Sequence, residues 1–312
     1  MLKILSIGDL NIDIVIPFEM PSHGKQVFVK DCHFSGGGCA ANFAVACARL
    51  GAKSKLVSRI GADIFSKYLL TELRRHGVDE KDIVVSTRDK TGVSLAMVRG
   101  GDRSIITHRG ANATLSLADL KGFKMDAELV HLPSFFILER LRPSYVKIEK
   151  WARKAGALIS FDTGWDPSGR WSRTKHLLKA LRGCDFFLPN LHEARSILNK
   201  PRGNPKELAE ELLLMGIKTV AIKLGHRGAF VADGSTSAYI PPLRVKVIDP
   251  TGAGDVFNAA FLLSYIKTRD LIKSGRFASA AAAIKIAGAG WSSYPTAAQV
   301  HRFLRKHPPE NT

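Results

Sequence analysis

The chain has 312 residues, 45% of them hydrophobic and 24% charged, which is enough apolar material for a large core and falls in the ordinary range for a globular protein. Lys and Arg number 46 against 28 Asp and Glu, and the resulting formal charge of +18 favours polyanionic ligands. The basic residues lie in short groups such as Arg74-Arg75, with no long basic run, which argues against specific nucleic-acid binding; no apolar run reaches the roughly 18 residues of a membrane span.

The four cysteines, Cys32, Cys39, Cys47 and Cys184, form no CxxC pair and have no His at zinc spacing, so a reduced, cytoplasmic setting is expected. The apolar start is broken by Gly8, Asp9, Asn11 and Asp13, too early for a signal peptide.

In chain order, Lys3–Ile7 and Ile12–Ile16 read as short strands around Gly8-Asp9-Leu10-Asn11, and Gln26–Phe34 as a third. Gly36-Gly37-Gly38 opens a helix over Ala40–Leu50 that Gly51 stops, and Phe65–His76 is amphipathic and closed by Gly77. Val93–Val98 and Ser104–His108 alternate as strands joined by Gly100-Gly101-Asp102, a hairpin signal. Segments 12–34 and 91–108 are expected to build a small sheet outside the main body, with a lid as its use.

Strand and helix then alternate. Leu129–Leu132, Ala157–Phe161, Asp185–Leu188 and Thr219–Leu224 read as strands, and Ser144–Ala155, Lys175–Leu181 and Pro205–Met215 as helices. This rhythm predicts one α/β domain over 1–312 built on a doubly wound, mostly parallel sheet flanked by helices, with ligands at the carboxyl ends of the strands. Ala278–Ala289 is rich in small residues, suited to close helix packing.

Residues 249–258 read Asp-Pro-Thr-Gly-Ala-Gly-Asp-Val-Phe-Asn, between the β-branched run Val245–Ile248, expected as a strand, and an apolar helix from Ala259. Glycines at a helix start let unpartnered N–H groups approach an anion. Asp255 is a carboxylate in a place otherwise made for anions. It either caps the helix or acts as a general base beside an anion hole. The chain has no GxxxxGK[ST] P-loop, no GxGxxG after the first strand and no HExxH.

Two motifs carry a resemblance. Gly36-Gly37-Gly38-Cys39-Ala40-Ala41-Asn42, followed by Ala48-Arg49-Leu50-Gly51, and Asp249-Pro250-Thr251-Gly252-Ala253-Gly254-Asp255, about 210 residues later, resemble the N- and C-terminal signatures of PfkB/ribokinase family carbohydrate kinases. The resemblance implies a ribokinase-like fold, ATP and Mg2+, and a primary hydroxyl of a sugar, sugar acid, inositol or nucleoside as acceptor. Asp255 is then the catalytic base and Gly252, Ala253 and Gly254 the anion hole.

The same resemblance places Asp13, Gly37, Gly38 and Asn42 on the substrate. Asn190 and Glu193 match an NxxE motif that positions Mg2+ through its waters, with a helix-capping pair as the alternative. Lys223, Gly225 and Gly228 match a nucleotide-binding turn, and Asp249, Thr251 and Ser293 match positions that hold K+ in some relatives. A homodimer through the lid is expected, without nucleic acid or membrane. Many relatives carry Asp-Pro-Asn-x-Arg where this chain has Asp162-Thr163-Gly164-Trp165-Asp166, and Cys39 stands where sugar-phosphate kinases often have lysine. Arg103 and Arg109 are the residues able to meet a substrate phosphate from the lid. A sugar-phosphate kinase and an idle sugar or nucleotide sensor remain the alternatives.

Overall fold

A computed structural model describes residues 1–16, 23–99, 102–171 and 175–308. Its strands are β1 (Lys3–Ile7), β2 (Asn11–Ile16), β3 (His33–Gly37), β4 (Lys53–Val57), β5 (Arg59–Gly61), β6 (Val78–Asp79), β7 (Val84–Ser86), β8 (Gly92–Arg99), β9 (Asp102–His108), β10 (Leu129–Leu132), β11 (Leu158–Phe161), β12 (Phe186–Phe187), β13 (Thr219–Lys223), β14 (Ala229–Asp233) and β15 (Ser237–Ile240). The helices are α1 (Cys39–Arg49), α2 (Ile64–Arg75), α3 (Tyr145–Lys154), α4 (Lys175–Leu181), α5 (Leu191–Leu198), α6 (Pro205–Leu214), α7 (Ala253–Thr268), α8 (Leu271–Ile286) and α9 (Ala297–Lys306).

The main sheet runs β15-β14-β13-β12-β11-β10-β1-β4-β6, parallel from β13 to β6, with β14 and β15 antiparallel at one edge. Ile4, Leu5, Ile7, Val130 and Ile159 are buried on both faces, as a parallel sheet covered by helices requires. One core lies around Phe43, Val256, Phe261 and Ala281 from α1, α7 and α8, and the other around Phe135, Tyr145, Leu177 and Leu208 on the side of α3, α4 and α6. Ala278, Ala280 and Ala281 let α8 pack closely, fulfilling the small-residue expectation.

A separate sheet, β3-β2-β8-β9, comes from the two segments expected to form it, with β2 and β8 parallel and the outer pairs antiparallel. The Gly100-Gly101 turn, the side chain of Arg103 and residues 17–22 lie outside the described residues. The third strand is displaced from Gln26–Phe34 to His33–Gly37. Its end is set by close approach: a Cβ at Gly36 would overlap the Trp291 ring, and one at Gly37 the Asp13 carboxyl.

Val245–Ile248 is not a strand. Instead of joining a ladder, the Ile248 and Asp249 amides both donate to Ile286 O, at 2.7 and 3.2 Å, tying this segment to the end of α8. Ile248 itself is exposed, so its apolarity was a poor guide. Asp185–Leu188 forms a two-residue strand only, Phe186–Phe187, although the Asp185 and Leu188 amides still donate to Ile159 O and Phe161 O.

Candidate active site

The parallel strands end on one rim. Asp9 and Ser134 follow β1 and β10, Asp162 follows β11, Asn190 follows β12, and Lys223 closes β13. The starts of α1 and α7 face this rim, and both begin with glycine in the left-handed region: Gly38 at φ 94° and Gly252 at φ 79°. A side chain at Gly38 would press on the Asp9 backbone, and one at Gly252 on the Tyr294 hydroxyl. Asp9, absent from the sequence-based set, serves as an external cap for α1: its carboxylate accepts from Ala40 N at 3.0 Å, Cys39 N at 3.2 Å and the Ser134 hydroxyl.

Asp255 sits in the first turn of α7 and is buried. Gly252 supplies no side-chain cap, and Asp255 Oδ2 accepts from Asn42 Nδ2 at 2.8 Å. Asn42 Oδ1 in turn accepts from Trp291 Nε1 at 2.8 Å, which fixes the amide's orientation. Burial, and next the charge of Asp162, push the Asp255 carboxyl up to about 7 against the opposing Asn42 bond and the Lys223 charge. A carboxyl group tuned to neutrality, held rigidly at a glycine-rich helix start, has the properties of a general base.

Lys223 lies across the site. Its Nζ donates to Asp162 Oδ2 at 2.7 Å and to Asn258 Oδ1 at 3.2 Å, and Asn258 Nδ2 donates to the same Asp162 oxygen at 2.6 Å. The ammonium is 3.6 Å from where a Cβ on Gly254 would stand, which places positive charge beside the glycine turn. Burial raises Asp162, but the Lys223 charge and hydrogen bond, joined by the Gly164 amide, together outweigh it and hold the carboxyl below its usual range; Lys223 is in turn held above its own by Asp162 and Glu193 in spite of burial.

Asn190 and Glu193 form a reciprocal capping box at the start of α5: Glu193 N donates to Asn190 Oδ1 at 2.9 Å, and Asn190 N to Glu193 Oε2 at 2.8 Å. The capping alternative is therefore realised. Burial, reinforced by Asp162, nevertheless raises the Glu193 carboxyl to about 8, a condition that a nearby divalent cation would relieve. Glu193 and Asn190 fit a role in holding Mg2+ through water. Among the described residues no cluster of three acidic, His or Cys side chains offers direct ligation.

Gly225 at φ 63° and Gly228 at φ 90° shape a tight turn closed by Leu224 N donating to Gly228 O at 2.8 Å. Asp13, on β2, lies against Gly37. Arg109 Nη1 is ion-paired with Glu139 at 3.0 Å, so a phosphate there would compete with an existing partner. The expected K+ position departs further: Asp249 Oδ2 is bound by Lys285 Nζ at 2.9 Å, and Ser293 Oγ donates to Gly290 O at 2.7 Å.

The family model for pfkB family carbohydrate kinases matches residues 1–297. A ribokinase of Haemophilus influenzae is 30% identical over 309 residues, covering 96% of this chain and 97% of its own. Among solved structures, Arabidopsis thaliana ribokinase complexed with ribose and ATP superposes at a TM-score of 0.83 with 26% identity, over 97% of this chain and 99% of that one. The structure of a "putative Ribokinase II" from E. coli in complex with ATP and Mg2+ superposes at a TM-score of 0.86 with 22% identity, over 98% of this chain and all of that one. The expected ribokinase-like sheet arrangement is thus met at both levels.

Proposed function

The chain belongs to the pfkB family of carbohydrate kinases, and from that premise we propose that it transfers the γ-phosphoryl group of ATP to a primary hydroxyl of a small carbohydrate or nucleoside, with Asp255 as the base. The observation that carries this reading is the Asp255 carboxyl, raised to about 7 and oriented by Asn42 and Trp291 at the first turn of α7. The acceptor oxygen forms its bond to the γ-phosphorus as the bond to the β,γ-bridging oxygen breaks. The hydroxyl proton passes to Asp255, and ADP leaves.

First-turn amides of α7 and the Lys223 ammonium stabilise charge on the transferring group. Asn190 and Glu193 would hold Mg2+, which when bound would supply positive charge to the phosphates. Asp13, Gly37 and Gly38 line the acceptor side, where bare backbone permits close approach; Asn42 serves there chiefly by positioning the base. Gly225 and Gly228 form the nucleotide turn.

A panel of free sugars, sugar acids, inositols and nucleosides, with their phosphorylated counterparts as controls, is scored by ADP release with ATP and Mg2+. Release is expected with at least one unphosphorylated acceptor. Release only with phosphorylated sugars would instead establish the sugar-phosphate kinase, and ATP binding without release from any acceptor the sensor.

The small sheet is proposed as the lid and as a dimer interface, because Phe34, Ile105 and Ile106 expose apolar surface on it. Light scattering after gel filtration is expected to give twice the mass of the 34.1 kDa chain; a monomer mass refutes the interface. A cytoplasmic setting belongs to the same proposal, and among the described residues no helix is long and apolar enough to cross a membrane.

A further inference from the structure

Lys285 lies in the last turn of α8, inside the alanine-rich stretch, with its side chain 1% exposed. Its Nζ donates to Asp249 Oδ2 at 2.9 Å, to Asp249 O at 3.0 Å and to Gly288 O at 3.3 Å. Two backbone carbonyls and a carboxylate oxygen around one positive centre are the donor set that suits a dehydrated monovalent cation. Of the three residues expected to hold K+, Asp249 is the one that Lys285 engages.

The other Asp249 oxygen, Oδ1, accepts from Thr251 N at 2.9 Å, and the Ile248 and Asp249 amides both bond Ile286 O. The ammonium therefore fixes the segment immediately preceding Gly252-Ala253-Gly254. Burial alone would raise the Asp249 carboxyl, yet Lys285 holds it below its usual range, so the pair is ionised at neutral pH.

We infer that Lys285 is a built-in monovalent cation: its ammonium takes the K+ position on Asp249 and holds the glycine turn in its anion-binding form, so this chain works without K+. An ammonium and K+ are close in size, and a K+ ion brought to the same oxygens would meet the like charge of Lys285. A buried lysine is costly unless fully paired, which explains why Asp249 and the two carbonyls converge on it. Lys285 is a positioning residue, acting through the turn. The consequence for turnover rests on the kinase reading, whereas the anchoring of the turn does not.

The test compares the full-length protein in chlorides of Na+, K+, Rb+, NH4+ and tetramethylammonium at equal ionic strength. Wild-type melting temperature, Mg-ATP affinity and turnover are expected to be the same in all five. Lys285→Ala is expected to lose roughly a hundredfold in turnover in Na+, as for removal of a group that organises an anion hole. K+, Rb+ and NH4+, but not Na+ or tetramethylammonium, are expected to restore part of it and to raise the variant's melting temperature. A wild-type protein stabilised or activated by K+ over Na+ overturns the inference, and so does a folded Lys285→Ala variant with undiminished Mg-ATP affinity and turnover. The wild-type comparison needs no variant and decides the matter if Lys285→Ala does not fold. Absence of phosphoryl transfer to any acceptor would count against the kinase reading and leave the melting comparison to judge Lys285.

Discussion

Asp255→Asn is expected to lower turnover by roughly a thousandfold, within the range a positioned base contributes, while Mg-ATP affinity stays near that of the wild type. The substitution keeps an oxygen able to accept from Asn42 Nδ2, so the 2.8 Å contact and the Trp291 link behind it survive. What disappears is the capacity to take a proton. With the folded-state carboxyl at about 7, kcat/KM of the wild type is expected to fall on the acid side of pH 7 in proportion to the ionised fraction, and the variant's residual activity to lack that limb. Undiminished turnover in the variant would remove Asp255 from the role of base.

The same shift makes a statement about stability. Burial holds the folded carboxyl above its ordinary 3.8, so the protonated form is favoured on folding; that contribution is present below pH 3.8 and is lost as pH rises through 7. At pH 8 the ionised carboxylate costs the fold about 4 kcal/mol by linkage, as an upper bound. Asp255→Asn is therefore expected to melt above the wild type at pH 8, with the gap closing towards pH 4. A function retained at such a cost is the trade expected of an active-site group.

Lys223→Met is expected to be the second most damaging change. It removes the ammonium beside Gly254 and leaves Asp162 buried with only neutral donors, Asn258 Nδ2 and Gly164 N. Breaking a buried pair in this way costs about 3–5 kcal/mol. Loss of one group stabilising developing charge lowers turnover by roughly 10²–10³-fold. The two effects separate in the double variant Asp162→Asn/Lys223→Met, which removes the stranded charge. Chemical denaturation is expected to show recovered stability in the double variant, and steady-state kinetics no recovery of turnover. If turnover returns along with stability, Lys223 is a structural residue and the anion site is complete without it.

The order of βα units and the two glycine signatures were legible because each follows from local chemistry: β-branched runs, helix stops at Gly51 and Gly77, and glycines needing φ above zero at 38 and 252. The convergence of Asn42 and Asp255 was implied by the resemblance, yet its mode was not. Asn42 was expected to spend its amide on substrate, whereas Trp291, 249 residues away in sequence, claims its oxygen and Asp255 part of its NH2. Nothing local in Gly290-Trp291-Ser292 announces that bond.

Lys223 belongs to the expected nucleotide turn and Asp162 to a segment that departs from the family pattern at Gly164 and Asp166, and only the sheet order, which sets β11 two strands from β13, makes them partners. The stretch Ala278–Ala289 was read only for its small residues, although a lone lysine, Lys285, between Ile284 and Ile286 is itself a signal of buried charge. Val245–Ile248 failed for the opposite reason. Its β-branched residues satisfy strand periodicity, but the backbone hydrogen bonds go to the end of α8 and leave Ile248 outside the core.

The most direct test of phosphoryl transfer to a primary hydroxyl is the proton-coupled phosphorus NMR spectrum of the product formed from the preferred acceptor. A phosphate on a CH2–O carbon couples to two protons and gives a triplet, which is the result expected here. A doublet, from a secondary position, or inorganic phosphate alone would contradict the assignment of Asp255, Asn42 and the glycine turn to that chemistry.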